Sequence, residues 1–207
     1  MSKNRAPRRV AVLISGNGTN LQALLDAEAS GKLGGAAVTV VISDRNGAYG
    51  LVRSQRAGKP AILQLPDPTL KREARQLDLS NRILAACRNY GIELIVLAGF
   101  LSILRGPILE VYERRIINIH PSLLPKYGGD GMYGDRVHRA VLESGDAESG
   151  CTVHLVDRGT DTGPILLQRK VPVAPGDTVE SLANRIHTEE HIALVQGVAM
   201  MAEGKGI

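Results

Sequence analysis

Short β-branched apolar runs alternate along this chain with segments of helical period, and that alternation constrains the fold more tightly than any other feature. Val10-Ala11-Val12-Leu13-Ile14 is the first run, followed by Val38-Thr39-Val40-Val41-Ile42, Ala61-Ile62-Leu63, Leu94-Ile95-Val96-Leu97 and Ile116-Ile117-Asn118-Ile119. Continuous apolar runs of this length suit strands covered on both faces. Their alternation with helical segments is the mark of βα units feeding a mostly parallel sheet. Leu70, Ala74, Leu77, Leu84 and Cys87 recur at steps of helical period, so they predict one amphipathic helix with that stripe turned inward. The fold class expected is α/β: one Rossmann-like domain over residues 1–207, a mostly parallel twisted sheet flanked by helices. A chain of 207 residues that is 43% hydrophobic is long enough to close such a core.

The character changes after about Pro125. A glycine-rich loop covers residues 128–134, a helix is expected around residues 138–142, and apolar runs at 152–156 and 165–173 extend the same sheet, their sense left open, antiparallel included. A last helix starts near Asp177, read as its N-cap with Glu180 three residues on. Its apolar stripe is Val179, Leu182, Ile186, Ala193 and Met200. The expected organisation is a flexible basic tail at 1–8, a nucleotide-binding-like half at 9–125 and a C-terminal half at 126–207.

Composition narrows the partners. A formal charge of +4 favours anionic ligands only mildly, and 3% aromatic residues with no Trp leave few rings for stacking bases, so nucleic acid is not expected. Cys87 and Cys151 form no Cys-x-x-Cys pair and read as buried small hydrophobes. The apolar run behind Lys3, Arg5, Arg8 and Arg9 is too short for a signal peptide, and no run approaches membrane-spanning length. The expectation is a cytoplasmic protein without membrane or metal.

Ligands of doubly wound sheets collect at the carboxyl ends of the strands, so polar residues just after the apolar runs carry the functional argument. Ser15-Gly16-Asn17-Gly18-Thr19-Asn20 follows the first strand and opens a helix with Leu21, Leu24 and Leu25 on its inner face. Glycines let a backbone approach an anion, so two readings stand: a phosphate cradle, or a tight βα turn with an Asn cap. Asn118-Ile119-His120-Pro121-Ser122-Leu123-Leu124-Pro125 runs a strand straight into an amide and an imidazole at alternate positions, on one face. Together they can hold a carbonyl oxygen that becomes an oxyanion, and the imidazole can pass a proton. His138, His154, His187 and His191 have no comparable setting on the residues alone. In Asp157-Arg158-Gly159-Thr160-Asp161-Thr162-Gly163-Pro164 the two acids read, taken alone, as turn formers.

In this order the three segments resemble the folate-dependent formyltransferase family, over most of the chain from Val10 to about Val195. Asn118-to-Pro125 with Asp161-Thr162-Gly163-Pro164 carries the likeness, and Ser15-to-Asn20 points to its glycinamide ribonucleotide branch, which serves purine synthesis. The resemblance implies 10-formyltetrahydrofolate as cosubstrate and glycinamide ribonucleotide as acceptor, with no metal, in a monomer or homodimer. It implies a catalytic trio of Asn118, His120 and Asp161. Asn118 and a protonated His120 would hold the oxyanion, and Asp161 would favour the charged imidazole. It assigns Gly18, Thr19 and Asn20 to the phosphate and His187, Thr188, Glu189 and Glu190 to the ribose side. Glu190 also stands out by itself, since an acid on the inner stripe of the last helix needs a partner. For folate the resemblance implies Leu101, Ser102, Ile103 and Leu104, the backbone of Asp157, Arg158, Gly159, Thr160 and Asp161, and Arg72 at the glutamate tail; a solvated helix charge is the other reading of Arg72.

The chain departs from the family pattern twice. Ser102 stands where Arg is common, and the glycine-rich loop at 127–135 is longer than in many relatives, which predicts a mobile flap over the site. Two other functions remain open from sequence: a formyltransferase of the same fold acting on an amino-sugar nucleotide, and a non-catalytic Rossmann-type nucleotide-binding module.

Overall fold

The computed structural model describes residues 6–205. Its elements, in chain order, are β1 (Arg8–Ile14), α1 (Thr19–Ala29), β2 (Ala36–Ser43), α2 (Tyr49–Arg56), β3 (Ala61–Leu63), α3 (Arg72–Asn89), β4 (Leu94–Leu97), α4 (Pro107–Val111), β5 (Ile116–His120), α5 (Asp135–Ser144), β6 (Glu148–Leu155), β7 (Ile165–Pro172) and α6 (Val179–Ala202). They build one seven-stranded sheet in the order β3-β2-β1-β4-β5-β6-β7. Strands β1 to β5 are parallel, while β6 and β7 are antiparallel additions at one edge. This is the mostly parallel α/β sheet that the alternating runs predict. The last two strands resolve as antiparallel.

Strand β1 shows why the apolar runs are continuous. Val10, Val12 and Ile14 face the layer formed by α1 and α6, whereas Ala11 and Leu13 face the layer formed by α3 and α4; all are fully buried. A period of two puts each neighbour into a different core, so no position is left for a polar residue. Strand order reverses at β1, which lies between β2 and β4, and the crevice above this switch point is where a doubly wound sheet receives ligands. Cys87 and Cys151 are free and fully buried, and burial pushes both thiols up to about 12. No helix of the described residues is long and apolar enough to cross a membrane.

Three local expectations change. The tail does not extend to Arg8, which starts β1 and donates from its backbone N–H to the Gly35 carbonyl at 2.9 Å, while Lys3 and Arg5 lie outside the described residues. Leu70 precedes α3, and the inward stripe of the helix is not Ala74 and Leu77, which are exposed, but Leu79, Ile83, Leu84 and Cys87, which share one buried cluster with Leu13 and Ile95 of the sheet. The last helix is capped by Thr178 rather than Asp177: the Thr178 side chain accepts from Ser181 N and the Ser181 hydroxyl accepts from Thr178 N, a reciprocal capping box. Asp177 instead binds Arg185 at 2.8 Å.

Candidate active site

The carboxyl end of β5 and its antiparallel neighbour build the centre of the site. Asn118 and His120 extend the row of buried Ile116, so both point to one face of the sheet. In the β5–β6 register Asn118 lies opposite His154, and His120 opposite Thr152. Cross-strand partners on one face are neighbours, and His154 Nε2 accordingly lies 3.1 Å from Asn118 Nδ2. The chain leaving β6 turns back over this pair and delivers Asp161 in a left-handed backbone conformation, φ 58°. Asp161 Oδ2 is 3.4 Å from His120 Nδ1, and Oδ1 is 3.5 Å from both His154 Nε2 and the donating Asn118 Nδ2. Gly129 N also donates to Oδ2, at 3.1 Å. The carboxylate, the imidazole and the carboxamide therefore converge.

The electrostatics of His120 set burial against the charged imidazole that the resemblance implies. Burial, with 3% of the residue exposed, pulls its pKa below the ordinary value of 6.5 and outweighs both the Asp161 carboxylate and the Tyr127 carbonyl, which pull the other way. Asp161 itself feels burial most strongly, in the upward direction. The hydrogen bond from His154, the positive charge on His120 whenever that ring is protonated, and the Gly129 N–H together overcome it and hold the carboxyl below 3.8. His120 Nε2 sits 2.8 Å from the Tyr127 carbonyl, which can only accept, so this nitrogen carries the proton and Nδ1 faces the Asp161 carboxylate. Only the doubly protonated ring satisfies both acceptors. The site is thus a neutral base at rest whose surroundings are already arranged for its conjugate acid.

One continuous cavity of about 930 Å³ reaches from this centre to both flanks. On one flank Gly18, Thr19 and Asn20 line it. The Asn-cap reading of this turn does not hold: the cap position is Gly18 at φ 72°, and no side chain caps the helix. A side chain at position 18 would come within 2.7 Å of Gly50 Cα, so the tight turn and the close packing of α1 against α2 both require glycine. Asn20 Nδ2 donates to Glu190 Oε2 at 3.4 Å, while its buried Oδ1 has no partner among the described residues. Glu190, 4% exposed, also binds His187 Nδ1 at 2.6 Å, and this hydrogen bond is the main reason the His187 pKa is raised. Thr188 and Glu189 do not reach the cavity. Thr188 bonds back to the Asn184 carbonyl, and Glu189 pairs with Arg169 on β7.

The other flank is lined by Leu101, Ser102, Ile103 and Leu104, and by Asp157, Gly159 and Thr160. Arg158 points away and pairs with Glu110 at 3.1 Å. Ser102 Oγ donates to Asp44 Oδ2 at 2.6 Å. Arg72 lines the rim and forms an exposed ion pair with Asp130 of the glycine-rich loop at 2.5 Å. That loop closes one side of the cavity from Gly129 to Arg136.

Sequence reasoning missed His154, 2% exposed, and His138, 1% exposed, both in the cavity wall. His154 stands two residues after Thr152, but its pairing with Asn118 exists only through the β5–β6 register.

A formyl transferase family model matches residues 8–198. Phosphoribosylglycinamide formyltransferase of Escherichia coli (strain K12) is 40% identical over 196 residues, 95% of this chain and 88% of that protein. The trifunctional purine biosynthetic protein adenosine-3 of Drosophila melanogaster is 44% identical over 201 residues, but the chain spans only 14% of its length. The crystal structure of glycinamide ribonucleotide transformylase 1 from Symbiobacterium toebii aligns with a TM-score of 0.87 at 45% identity, covering 99% of this chain and 92% of that one.

Proposed function

The chain belongs to the formyl transferase family, and from that premise we propose that it transfers the formyl group of 10-formyltetrahydrofolate to the amine of glycinamide ribonucleotide, giving formylglycinamide ribonucleotide and tetrahydrofolate in purine synthesis. The observation that carries this reading is the convergence of Asn118, His120 and Asp161, with Asp161 3.4 Å from the ring, midway along a cavity whose one end is the Gly18-Thr19-Asn20 turn. Helix starts with free N–H groups receive phosphate. The unpartnered Asn20 Oδ1 and the Glu190 carboxylate add acceptors for ribose hydroxyls at the same end.

In this mechanism the substrate amine attacks the formyl carbon and the carbonyl oxygen takes the negative charge. Asn118 Nδ2 donates to that oxygen. The amine attacks as the free base, loses one proton as the new C–N bond forms and keeps the other as the amide N–H. His120, neutral at rest, takes the lost proton and becomes the imidazolium that Asp161 and the Tyr127 carbonyl would hold. Collapse breaks the bond from the formyl carbon to the folate nitrogen. That nitrogen keeps the electron pair of the broken bond and receives the proton that His120 took, relayed through Asp161 or water, which returns His120 to its neutral form. Leu101, Ser102, Ile103 and Leu104 and the 157–161 backbone would hold the pterin, and the 127–135 loop would close as a flap. The enzyme would work in the cytoplasm on small molecules alone, as a monomer or homodimer.

The direct test is product analysis with the purified chain, 10-formyltetrahydrofolate and glycinamide ribonucleotide, beside an amino-sugar nucleotide. Formylation of the ribonucleotide only is the expected outcome. Formylation of the sugar nucleotide only, or binding of both ligands with no transfer, would overturn the assignment.

A further inference from the structure

We propose that Asp44, which no ligand role so far includes, is a positioning residue that holds the phosphate cradle and the folate segment in fixed relation, with Ser102 as its link on the folate side. The inference rests on the folate reading of residues 101–104. Asp44 follows β2 and is 0% exposed, yet it carries a carboxylate into the seam between strand ends. Its Oδ1 accepts from Ser15 Oγ at 2.5 Å and its Oδ2 from Ser102 Oγ at 2.6 Å. Arg45 Nε lies 3.8 Å away, on a largely exposed side chain. Ser15 Oγ in turn accepts from Leu101 N at 2.7 Å, and Ser15 N donates to the Gly99 carbonyl at 3.0 Å.

Ser15 immediately precedes the Gly16-to-Asn20 turn, while Leu101 and Ser102 open the folate segment. A buried acid is costly unless its oxygens are satisfied, and here the hydroxyls that satisfy them come from the two ligand-binding segments. An apolar side chain would fill the same space without tying those segments together. Leu101 N–H and the Gly99 carbonyl already join the two segments through Ser15, and the carboxylate extends that tie to Ser102, so the rim is held at both loops by one network. The Ser102 hydroxyl is what completes the bridge.

The test is calorimetric binding of tetrahydrofolate and of glycinamide ribonucleotide to the full chain and to Ser102→Ala, Ser102→Thr, Asp44→Asn and Asp44→Ala. Ser102→Ala should weaken tetrahydrofolate about tenfold, the equivalent of about 1.4 kcal/mol for one hydrogen bond to a carboxylate, and change the ribonucleotide by less than about twofold. Ser102→Thr, which keeps the hydroxyl, should restore folate affinity. Asp44→Asn should weaken both ligands, since the amide loses the charge and keeps only one oxygen to accept from the two hydroxyls. Unchanged folate affinity in Ser102→Ala would overturn the proposal. So would a folded Asp44→Asn with a lower melting temperature and both affinities intact, which is the signature of packing alone. If Asp44→Ala fails to fold, the Ser102 pair still decides. Binding is read without turnover, so a chain that binds both ligands but transfers nothing defeats the proposed reaction while these comparisons stand. A chain that binds neither defeats both.

Discussion

Replacing Asp161 by Asn isolates the electrostatic part of the site, because the amide keeps the size of the carboxylate and can still accept from Gly129 N. What is lost is a negative charge 3.4 Å from the His120 ring, on a side chain only 11% exposed. With an effective dielectric of about 20, a full charge pair at that distance is worth about 5 kcal/mol. In the transition state the positive charge on the ring is incomplete and shared with the oxyanion, so about half of that figure is the working estimate. At about 1.4 kcal/mol per factor of ten, turnover should fall by about 100-fold, with a few thousand-fold as the ceiling. The Michaelis constant for glycinamide ribonucleotide should stay close to wild type, because Asp161 lies away from the Gly18-Thr19-Asn20 turn. The sign of the accompanying pKa change is fixed: burial already depresses His120, Asp161 opposes that, and removing the opposition depresses it further. Single-turnover formyl transfer and an NMR titration of the His120 ring nitrogens check the two halves. Turnover within fivefold of wild type, or a His120 midpoint that stays put or rises, would refute the assignment of Asp161 as counter-ion.

Three further outcomes are expected. Asn20→Ala should raise the Michaelis constant for the phosphorylated substrate while turnover stays nearly constant; steady-state kinetics with that substrate varied would contradict the cradle if the constant did not move. Gly163→Ala places a Cβ 1.9 Å from the Leu155 carbonyl, where β6 and β7 meet, so it should cost about 1–3 kcal/mol in urea unfolding and, by displacing Asp161, activity as well; a fully stable, active variant would count against this account of the turn. The third concerns acid: His120, His138 and His191 have folded pKa values below 6.5, so as pH falls through 6.5 the unfolded chain takes up protons that the folded chain refuses, and stability declines, with the raised His187 opposing the trend. Thermal melts from pH 8 to pH 5 should show that decline, and a rise would contradict the burial-dominated histidines.

Much of this architecture is legible in the order of residues. Val10-Ala11-Val12-Leu13-Ile14 and Leu94-Ile95-Val96-Leu97 admit little but doubly covered strands, and an Asn and a His ending such a strand stand out at once. His154 did not stand out, because it interrupts an apolar strand in mid-run and its meaning comes from the strand opposite, more than thirty residues earlier in the chain. Antiparallel register is decided by the pairing as a whole and leaves no local trace. Leu77 is exposed for a related reason: Leu70, Ala74 and Leu77 continue a periodic row, but periodicity does not report which turns of a helix meet the core. The resting charge of His120 depends on a balance between burial and one carboxylate, and no motif encodes which wins. Asp177 has the right chemistry for a cap one position early, but its carboxylate accepts from Ala174 N, Ser181 Oγ and Arg185 instead.

The pairing of Asn118 with His154 has a consequence for how errors in this protein surface. The residues between the polar ones, Ile117, Ile119, Val153 and Leu155, fill the core on the opposite side of the same two strands. A slip of one residue would swap the two sets, bringing valine and leucine to the reaction centre and imidazole to the interior. Chains assembled out of register would thus lose the reaction centre and part of the core by the same mistake.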